Sequence, residues 1–323
     1  MTTDPLFAPS LEAALASIIP PSTGRYRCTE SMAAHTTFRL GGPADYYLEP
    51  STVDELAAVI HAAVQTGFPV TILGNGSNIV VSDRGIRGVV ISLGQPISAI
   101  RRAGDTLIVQ AGAQLSSVAA FAAREGLGGM AFASGIPGTI GGAVMMNAGA
   151  YDHCMADIII STRFLDENLQ QQVVHGAEHQ FGYRTSCFKE TARIVTETTV
   201  ELVPQDPERI WAEMAALAVR RRTSQPLELP SAGSAFKRPP GFYAGQLISE
   251  CGLKGCRIGG AEVSTKHAGF IVNIDHASAT DVARLFIHVQ ATVLSETGVL
   301  LEPEVLFIGD WDGIDLPQIG AHR

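Results

Sequence analysis

Two glycine-rich stretches and a few scattered polar side chains carry the chemical interest of this sequence. Gly74-Asn75-Gly76-Ser77-Asn78 follows the apolar run PVTILG, and residues 134–150 read SGIPGTIGGAVMMNAGA. The first is not a Rossmann fingerprint, because Ile79 replaces the third glycine, and it is not a P-loop, because no Gly-Lys-Ser/Thr follows. It offers main-chain N–H groups with the Ser77 and Asn78 side chains, which suits a diphosphate held without a cation. A plain hairpin turn explains this loop equally well when it is taken alone. In the second stretch Gly135, Gly138, Gly141 and Gly142 surround Pro137, so that amides gather at the start of a short Ala-Val-Met-Met turn, a place that favours an anion. A purely structural loop is the minority reading, since so long a stretch without packing side chains usually has a ligand against it. Together the loops suit a dinucleotide better than a mononucleotide.

The candidate reactive side chains lie further along. Tyr183-Arg184 in HQFGYRTSCF could clamp a carboxylate, or the arginine could lie on its aromatic neighbours. Ser234 follows a flexible Ala-Gly pair and precedes Lys237 and Arg238, so its hydroxyl is either a neutral proton donor facing an anion or a turn serine. With no G-x-S-x-G elbow and no adjacent base, it is not a hydrolase nucleophile. Glu304 opens the apolar final strand and alternates with Val305, which lets it enter a cleft or stay solvated at a strand edge. Cys251 and Cys256 lack a second ligand pair and His153-Cys154 has no partner at ligand spacing, so no metal site is expected.

The 323 residues suit two or three structural units, and 46% hydrophobic residues provide for sizeable cores. A formal charge of −9 opposes nucleic-acid binding. The first residues carry no basic n-region, no apolar run approaches a membrane span, and five scattered cysteines read as reduced thiols, so a cytoplasmic protein is expected. Residues 1–34 predict a peripheral amphipathic helix (Leu11, Leu15, Ile18, Ile19) and a linker. From Ala44 a strand, a helix begun by a Thr52–Glu55 capping box with Leu56, Ile60, Ala63 and Val64 inward, and the strand PVTILG form a βαβ pattern. Strands NIVVS and GVVISL come next. A second region has a strand at 107–112, a helix near 114–125 and strands around 157–165 and 193–203. Pro204 and Pro207 mark a boundary, beyond which come an amphipathic helix, a short helix near 243–251, a strand at 269–275, a helix at 280–297 between Thr280 and Gly298, and a last strand. The expected division is 1–34 peripheral, 35–203 a cofactor domain (35–93 and 94–203) and 204–323 a substrate domain.

His35 to Ala44 (HTTFRLGGPA), the Gly74–Asn78 loop, Ser134–Ala150, Tyr183-Arg184, Pro230–Pro239, Ala244-Gly-Gln-Leu-Ile with Gly252-Leu-Lys-Gly, Lys266–Asn273 and Pro303-Glu-Val resemble, in order, the signatures of the UDP-N-acetylenolpyruvoylglucosamine reductase (MurB) family. The resemblance implies an α+β protein: a two-subdomain FAD-binding fold of the vanillyl-alcohol oxidase (PCMH) type plus a C-terminal α+β substrate domain. The short interval from Arg184 to Ser234 is similar to the subclass without an extra tyrosine loop. It implies non-covalent FAD, NADPH as reductant, and reduction of an enolpyruvyl UDP-sugar to UDP-N-acetylmuramate in peptidoglycan precursor synthesis. Flavin N5 would give hydride to the enol-ether β-carbon and Ser234 a proton to the α-carbon, with Arg184 and Glu304 stabilising the enolate-like charge. FAD would rest on Gly74, Asn75, Gly76, Ser77, Asn78, Ser134, Gly135, Ile136, Pro137, Gly138, Thr139, Gly141, Gly142, Asn147, Ala148 and Gly149. The substrate would meet Tyr183, Lys237 and Arg238. The chain departs from the family pattern at Arg238, where asparagine is usual, at Gln246, where lysine is frequent, and at Asp152-His153. The partner is then a small UDP-sugar, with no nucleic acid, no membrane and a monomeric enzyme. The alternatives are a flavin reductase or oxidase of this fold with another substrate, or a silent nucleotide-binding module.

Overall fold

The computed structural model describes residues 10–318. Helix α1 (Leu11–Ile18), capped by Ser10, buries Leu11 and Leu15 against α2 (Val53–Gln65), and residues 1–9 of the expected N-terminal segment lie outside the described residues. This segment is less peripheral than its sequence suggests. Strand β1 (Tyr26–Ser31) pairs antiparallel with β2 (Pro43–Leu48), and Leu11, Leu15, Ile19 and Tyr26 enter the first core. Only Tyr26 of β1 is buried, so the strand has no apolar alternation to announce it.

In α2 the Thr52 hydroxyl accepts from Glu55 N at 3.0 Å, while the Glu55 carboxylate accepts from Ser51 N at 2.7 Å and pairs with Arg25. Leu56, Val59, Ile60 and Ala63 face inward; Val64, expected with them, is 63% exposed, because it lies one step past the buried stripe. After α2 come β3 (Val70–Leu73), β4 (Ile79–Val81) and β5 (Ile86–Ser92). The sheet order is β1-β2-β5-β3, with β2, β5 and β3 mutually parallel, so the βαβ pattern holds with β5 inserted between its strands. β4 leaves this sheet altogether.

The second unit is a five-stranded antiparallel sheet. It contains β6 (Ile100–Ala103), β7 (Thr106–Gln110), β8 (Ile159–Leu165), β9 (Gln171–His175) and β10 (Ile194–Glu201) in the order β9-β8-β10-β7-β6. Between β7 and β8 lie α3 (Leu115–Arg124), with Leu115, Val118, Ala119 and Ala122 buried as predicted, and α4 (Ile140–Met145). One hydrophobic core joins both units.

Helix α5 (Pro207–Ser224) starts at the predicted break, where the Asp206 carboxylate accepts from Glu208 N at 3.0 Å. It packs on α3 and on residues 131–133, so by contact it belongs with the second unit. The third sheet starts at β11 (Ser231–Ser234) and continues, after α6 (Ala244–Glu250), with β12 (Arg257–Ile258), β13 (Ala261–Val263) and β14 (Phe270–Asn273), in the antiparallel order β11-β14-β13-β12. α7 (Ala279–Thr297) covers it. Its cap is Ser278, paired with Asp281, because Thr280 donates instead to Asp83; Gly298 closes the helix at φ 72°. Finally β15 (Leu306–Ile308) returns to pair parallel with β4, Leu306 opposite Ile79. That pairing brings the C-terminal end of the chain to the first glycine loop.

Candidate active site

The Gly74–Asn78 loop is not a hairpin turn, since β3 and β4 belong to different sheets. Among the described residues, the amides of Asn75, Gly76, Ser77 and Asn78 donate to no main-chain carbonyl, which leaves a row of N–H groups for an outside acceptor. The loop is wedged in place. A Cβ on Gly76 would lie 2.0 Å from His35 O, and the residue sits at φ 59°. Asn75 Nδ2 donates to Pro137 O at 2.7 Å, joining this loop to the second one. There Gly74 and Thr139 touch: a Cβ on Gly74 would lie 2.4 Å from Thr139 Oγ1, and that oxygen is buried without a hydrogen-bond partner.

Two cavities meet at this contact. A polar one of about 280 Å³ is lined by His35, Thr36, Thr37, Asn75, Gln95 and Gln114, and a more apolar one of about 550 Å³ by Leu73, Leu93, Ala111, Gly141, Gly142 and Ile194, with Gly74 and Thr139 in both walls. Of the residues expected to hold a cofactor, Gly74, Asn75, Thr139, Gly141 and Gly142 line these cavities. Ser77, Ile136, Pro137 and Gly138 are outside both linings; Pro137 O accepts from Asn75, and a Cβ on Gly138 would lie 3.8 Å from Ser77 Oγ and 3.9 Å from Ile136 Cγ2. Others make contacts within the protein. The Ser134 hydroxyl donates to Ala131 O at 2.8 Å, Gly135 lies against the Arg221 guanidinium, and Asn78 Nδ2 donates to Glu304 O at 3.2 Å. Asn147 Nδ2 donates to Gly182 O at 3.0 Å, Ala148 accepts from Met155 N, and Gly149 pairs with Cys154. At the start of α4, where amides were expected to favour an anion, those of Ile140 and Gly141 donate to Ala113 O and Ala111 O.

A third space of about 440 Å³ brings Arg184, Ser234 and Glu304 together. Each arrives from a different part of the fold. Tyr183-Arg184 forms a tight two-residue turn between Gly182 and Thr185, with Arg184 held at φ 57°, a strained backbone for a non-glycine residue. Ser234 ends β11 after Gly233, whose φ of 78° accommodates a bulge between Ser231 and Ser234. Its side chain is exposed to the cleft and its hydroxyl has no partner among the described residues. The Glu304 main chain is fixed from both sides, donating through N to Ala235 O at 2.9 Å and accepting at O from Asn78. Arg184 Nε donates to the Glu304 carboxylate. Burial pushes the Glu304 carboxyl above the usual glutamate range, although Arg184 and Lys237 pull the other way.

At the mouth, Arg238 lies 4.0 Å from the centre of the Tyr243 ring and its N–H donates to the Tyr183 hydroxyl at 3.1 Å. Arg184 is 5.1 Å from the Tyr183 ring, so the contact with an aromatic neighbour exists alongside the pairing with Glu304. Lys237, expected to meet substrate, is not in the cleft wall; its ammonium pairs with Glu302. The wall holds cations that the sequence motifs left without a role, Lys254 and Lys266, and also His267, whose Nδ1 accepts from Gly269 N at 3.0 Å. Burial lowers the His267 pKa, which favours its neutral form. Among the described residues no group of three or more His, Cys, Asp or Glu could hold a metal ion, and no helix is long and apolar enough to cross a membrane.

Residues 225–308 match the family model described as "UDP-N-acetylenolpyruvoylglucosamine reductase, C-terminal domain", and residues 44–172 match that described as "FAD binding domain". A UDP-N-acetylenolpyruvoylglucosamine reductase of Levilactobacillus brevis is 48% identical over 281 residues, covering 87% of this chain and 92% of the relative. The chain belongs to the UDP-N-acetylenolpyruvoylglucosamine reductase family. The reductase of Exiguobacterium sibiricum shows the same identity and coverage. The crystal structure of the family member from Thermus caldophilus superposes with a TM-score of 0.75 at 37% identity, covering 86% of this chain and 98% of that one.

The fold of this reductase family member is therefore an FAD-binding domain followed by an α+β C-terminal domain, as the motifs implied. The loops fit FAD on their own terms. They supply a row of unused amides, an orphaned hydroxyl on Thr139, and a glycine at 74 whose side-chain space Thr139 already fills. His35 and Thr37 in the polar cavity, and Lys254 and Lys266 in the cleft, lie within the stretches that carried the resemblance, but their residue types alone gave them no role.

Proposed function

We propose that this chain reduces the enolpyruvyl ether of UDP-N-acetylglucosamine to UDP-N-acetylmuramate with electrons from NADPH, acting as a cytoplasmic monomer in peptidoglycan precursor synthesis. The observation that carries the reading is the shared cleft of Arg184, Ser234 and Glu304, in which Tyr183 and Arg184, from between the two matched domains, face residues of the C-terminal domain. FAD, when bound and reduced by NADPH, supplies hydride to the β-carbon of the enol ether.

The chain's own groups handle the charge and the proton. As negative charge moves through the α-carbon into the substrate carboxylate, the Arg184 guanidinium meets it with the donors that Glu304 leaves free. Glu304 fixes the guanidinium through Nε, and burial makes its carboxyl easier to protonate than an ordinary glutamate, against the pull of Arg184 and Lys237. Ser234, exposed and unpartnered, gives its hydroxyl proton to the α-carbon. Tyr183 and Arg238, with Lys254, receive the anionic end of the substrate at the cleft mouth. The Lys237 ammonium, tied to Glu302, acts at a distance on Glu304.

Purified enzyme should be yellow, and without oxygen it should oxidise NADPH beyond one equivalent per flavin only when the enolpyruvyl UDP-sugar is present. A colourless protein, or turnover confined to a different acceptor, refutes the assignment.

A further inference from the structure

We propose that Thr37 is a positioning residue that fixes the proton donor Ser234 relative to the FAD loop. The inference rests on the proposed function above. Thr37 reaches both walls with its own groups: its N–H donates to Gly76 O at 3.2 Å, and its hydroxyl donates to Ser231 O at 2.7 Å. The His35–Leu40 stretch cannot slide. Gly76 packs so closely on it that a Cβ would lie 2.0 Å from His35 O, Asn273 Nδ2 donates to Phe38 O at 3.2 Å, and Phe38 is buried in the C-terminal core with Ala232 and Ala235.

The far end of this bridge matters because Ser231 opens the short strand that ends on the proton donor. Ser231 stands opposite Val272 and Ser234 opposite Phe270, with a register shift between them and Gly233 at φ 78°. A bulge has fewer ladder bonds than regular strand, so the point at which Ser231 is pinned governs where the Ser234 hydroxyl points. Thr37 also lines the polar cavity beside Asn75, which puts one residue in touch with the cofactor loop and with the strand of the proton donor. Pinning of this kind affects proton delivery to substrate and leaves reduction of the flavin alone.

The test separates the two half-reactions in Thr37→Val, which keeps the shape and removes the donor, and in Thr37→Ser, which restores it. With FAD saturating, Thr37→Val is expected to slow anaerobic reoxidation by the enolpyruvyl UDP-sugar about ten-fold more than it slows flavin reduction by NADPH. Thr37→Ser is expected to recover most of that rate. Hydrogen exchange on the FAD-free proteins gives an independent readout: exchange in 231–236 should rise in Thr37→Val and stay near wild type in 74–78. Unchanged reoxidation, equal slowing of both half-reactions, loss of FAD, or a serine variant no better than valine each overturns the proposal. Failure of the wild-type enzyme to reoxidise with this substrate refutes the proposed function itself, before any variant is compared.

Discussion

Gly74→Ala tests whether the contact between the two glycine loops shapes the FAD site. The added Cβ would lie 2.4 Å from Thr139 Oγ1 and 3.5 Å from Thr139 Cβ and Cγ2. Against an ordinary contact of roughly 3.5 Å, only the oxygen is in the way, and it must move by about 1 Å. Thr139 cannot turn aside easily, because it is 3% exposed, β-branched, and bridged through its backbone to Gln114. Overpacking of this kind costs about 1–3 kcal/mol. If the strain is relieved by shifting the 74–78 loop, FAD affinity falls by roughly 5- to 150-fold, which flavin-fluorescence titration of the FAD-free protein measures directly. A second substitution serves as the control. Thr139 Oγ1 makes no hydrogen bond, so Thr139→Ala removes the obstruction at little cost to the FAD-free protein. The double variant should bind FAD better than the sum of the two single losses predicts. Wild-type affinity in Gly74→Ala, or simple additivity in the double variant, would show that this contact does not shape the site.

Two further outcomes follow from the cleft. Ser234→Ala should keep FAD and NADPH-driven flavin reduction, since the hydroxyl supports no other group, yet lose about 10²–10⁴-fold in substrate-driven reoxidation by stopped flow; retention of full turnover would remove Ser234 from the mechanism. Glu304 has a folded pKa raised by burial, so stability falls as pH rises from the ordinary glutamate value through the raised one, and is level above it. Glu304→Gln should abolish that slope, so that its Tm relative to wild type grows across the same window; a pH-independent difference contradicts the assigned direction.

Local signals made much of the fold legible. The buried stripe of α3, the break at Pro207 and the close of α7 at Gly298 follow from side-chain period and backbone chemistry near the residue concerned. What was hidden depends on partners far away in sequence. β1 carries no apolar alternation, and β4 leaves its expected neighbours because β15 claims it. The same distinction holds in the site. Arg184, Ser234 and Glu304 each had an equally plain structural reading by type, only the family resemblance joined them, and the long-range β4–β15 pairing is what carries Glu304 to the Asn78 loop. Asn147 and Ser134 are cofactor contacts only by what the resemblance implies, and the side-chain hydrogen bonds they make to Gly182 and Ala131 join segments that no local pattern connects. Lys237 was expected at the substrate by the resemblance, and nothing nearby in sequence announces Glu302 as its partner. Thr37 gave no signal by residue type, since a bridge shows only when both its ends are seen.

Whether this cleft performs the reduction is decided by a single turnover without oxygen. Enzyme whose flavin has been reduced by stoichiometric NADPH is mixed with the enolpyruvyl UDP-sugar, and flavin absorbance is followed while the product is identified by mass. Recovery of the oxidised flavin spectrum, with one UDP-N-acetylmuramate formed per flavin, is the expected result. A flavin that stays reduced in the presence of this sugar nucleotide, or is reoxidised without that product, contradicts the assignment of Arg184, Ser234 and Glu304 to this chemistry.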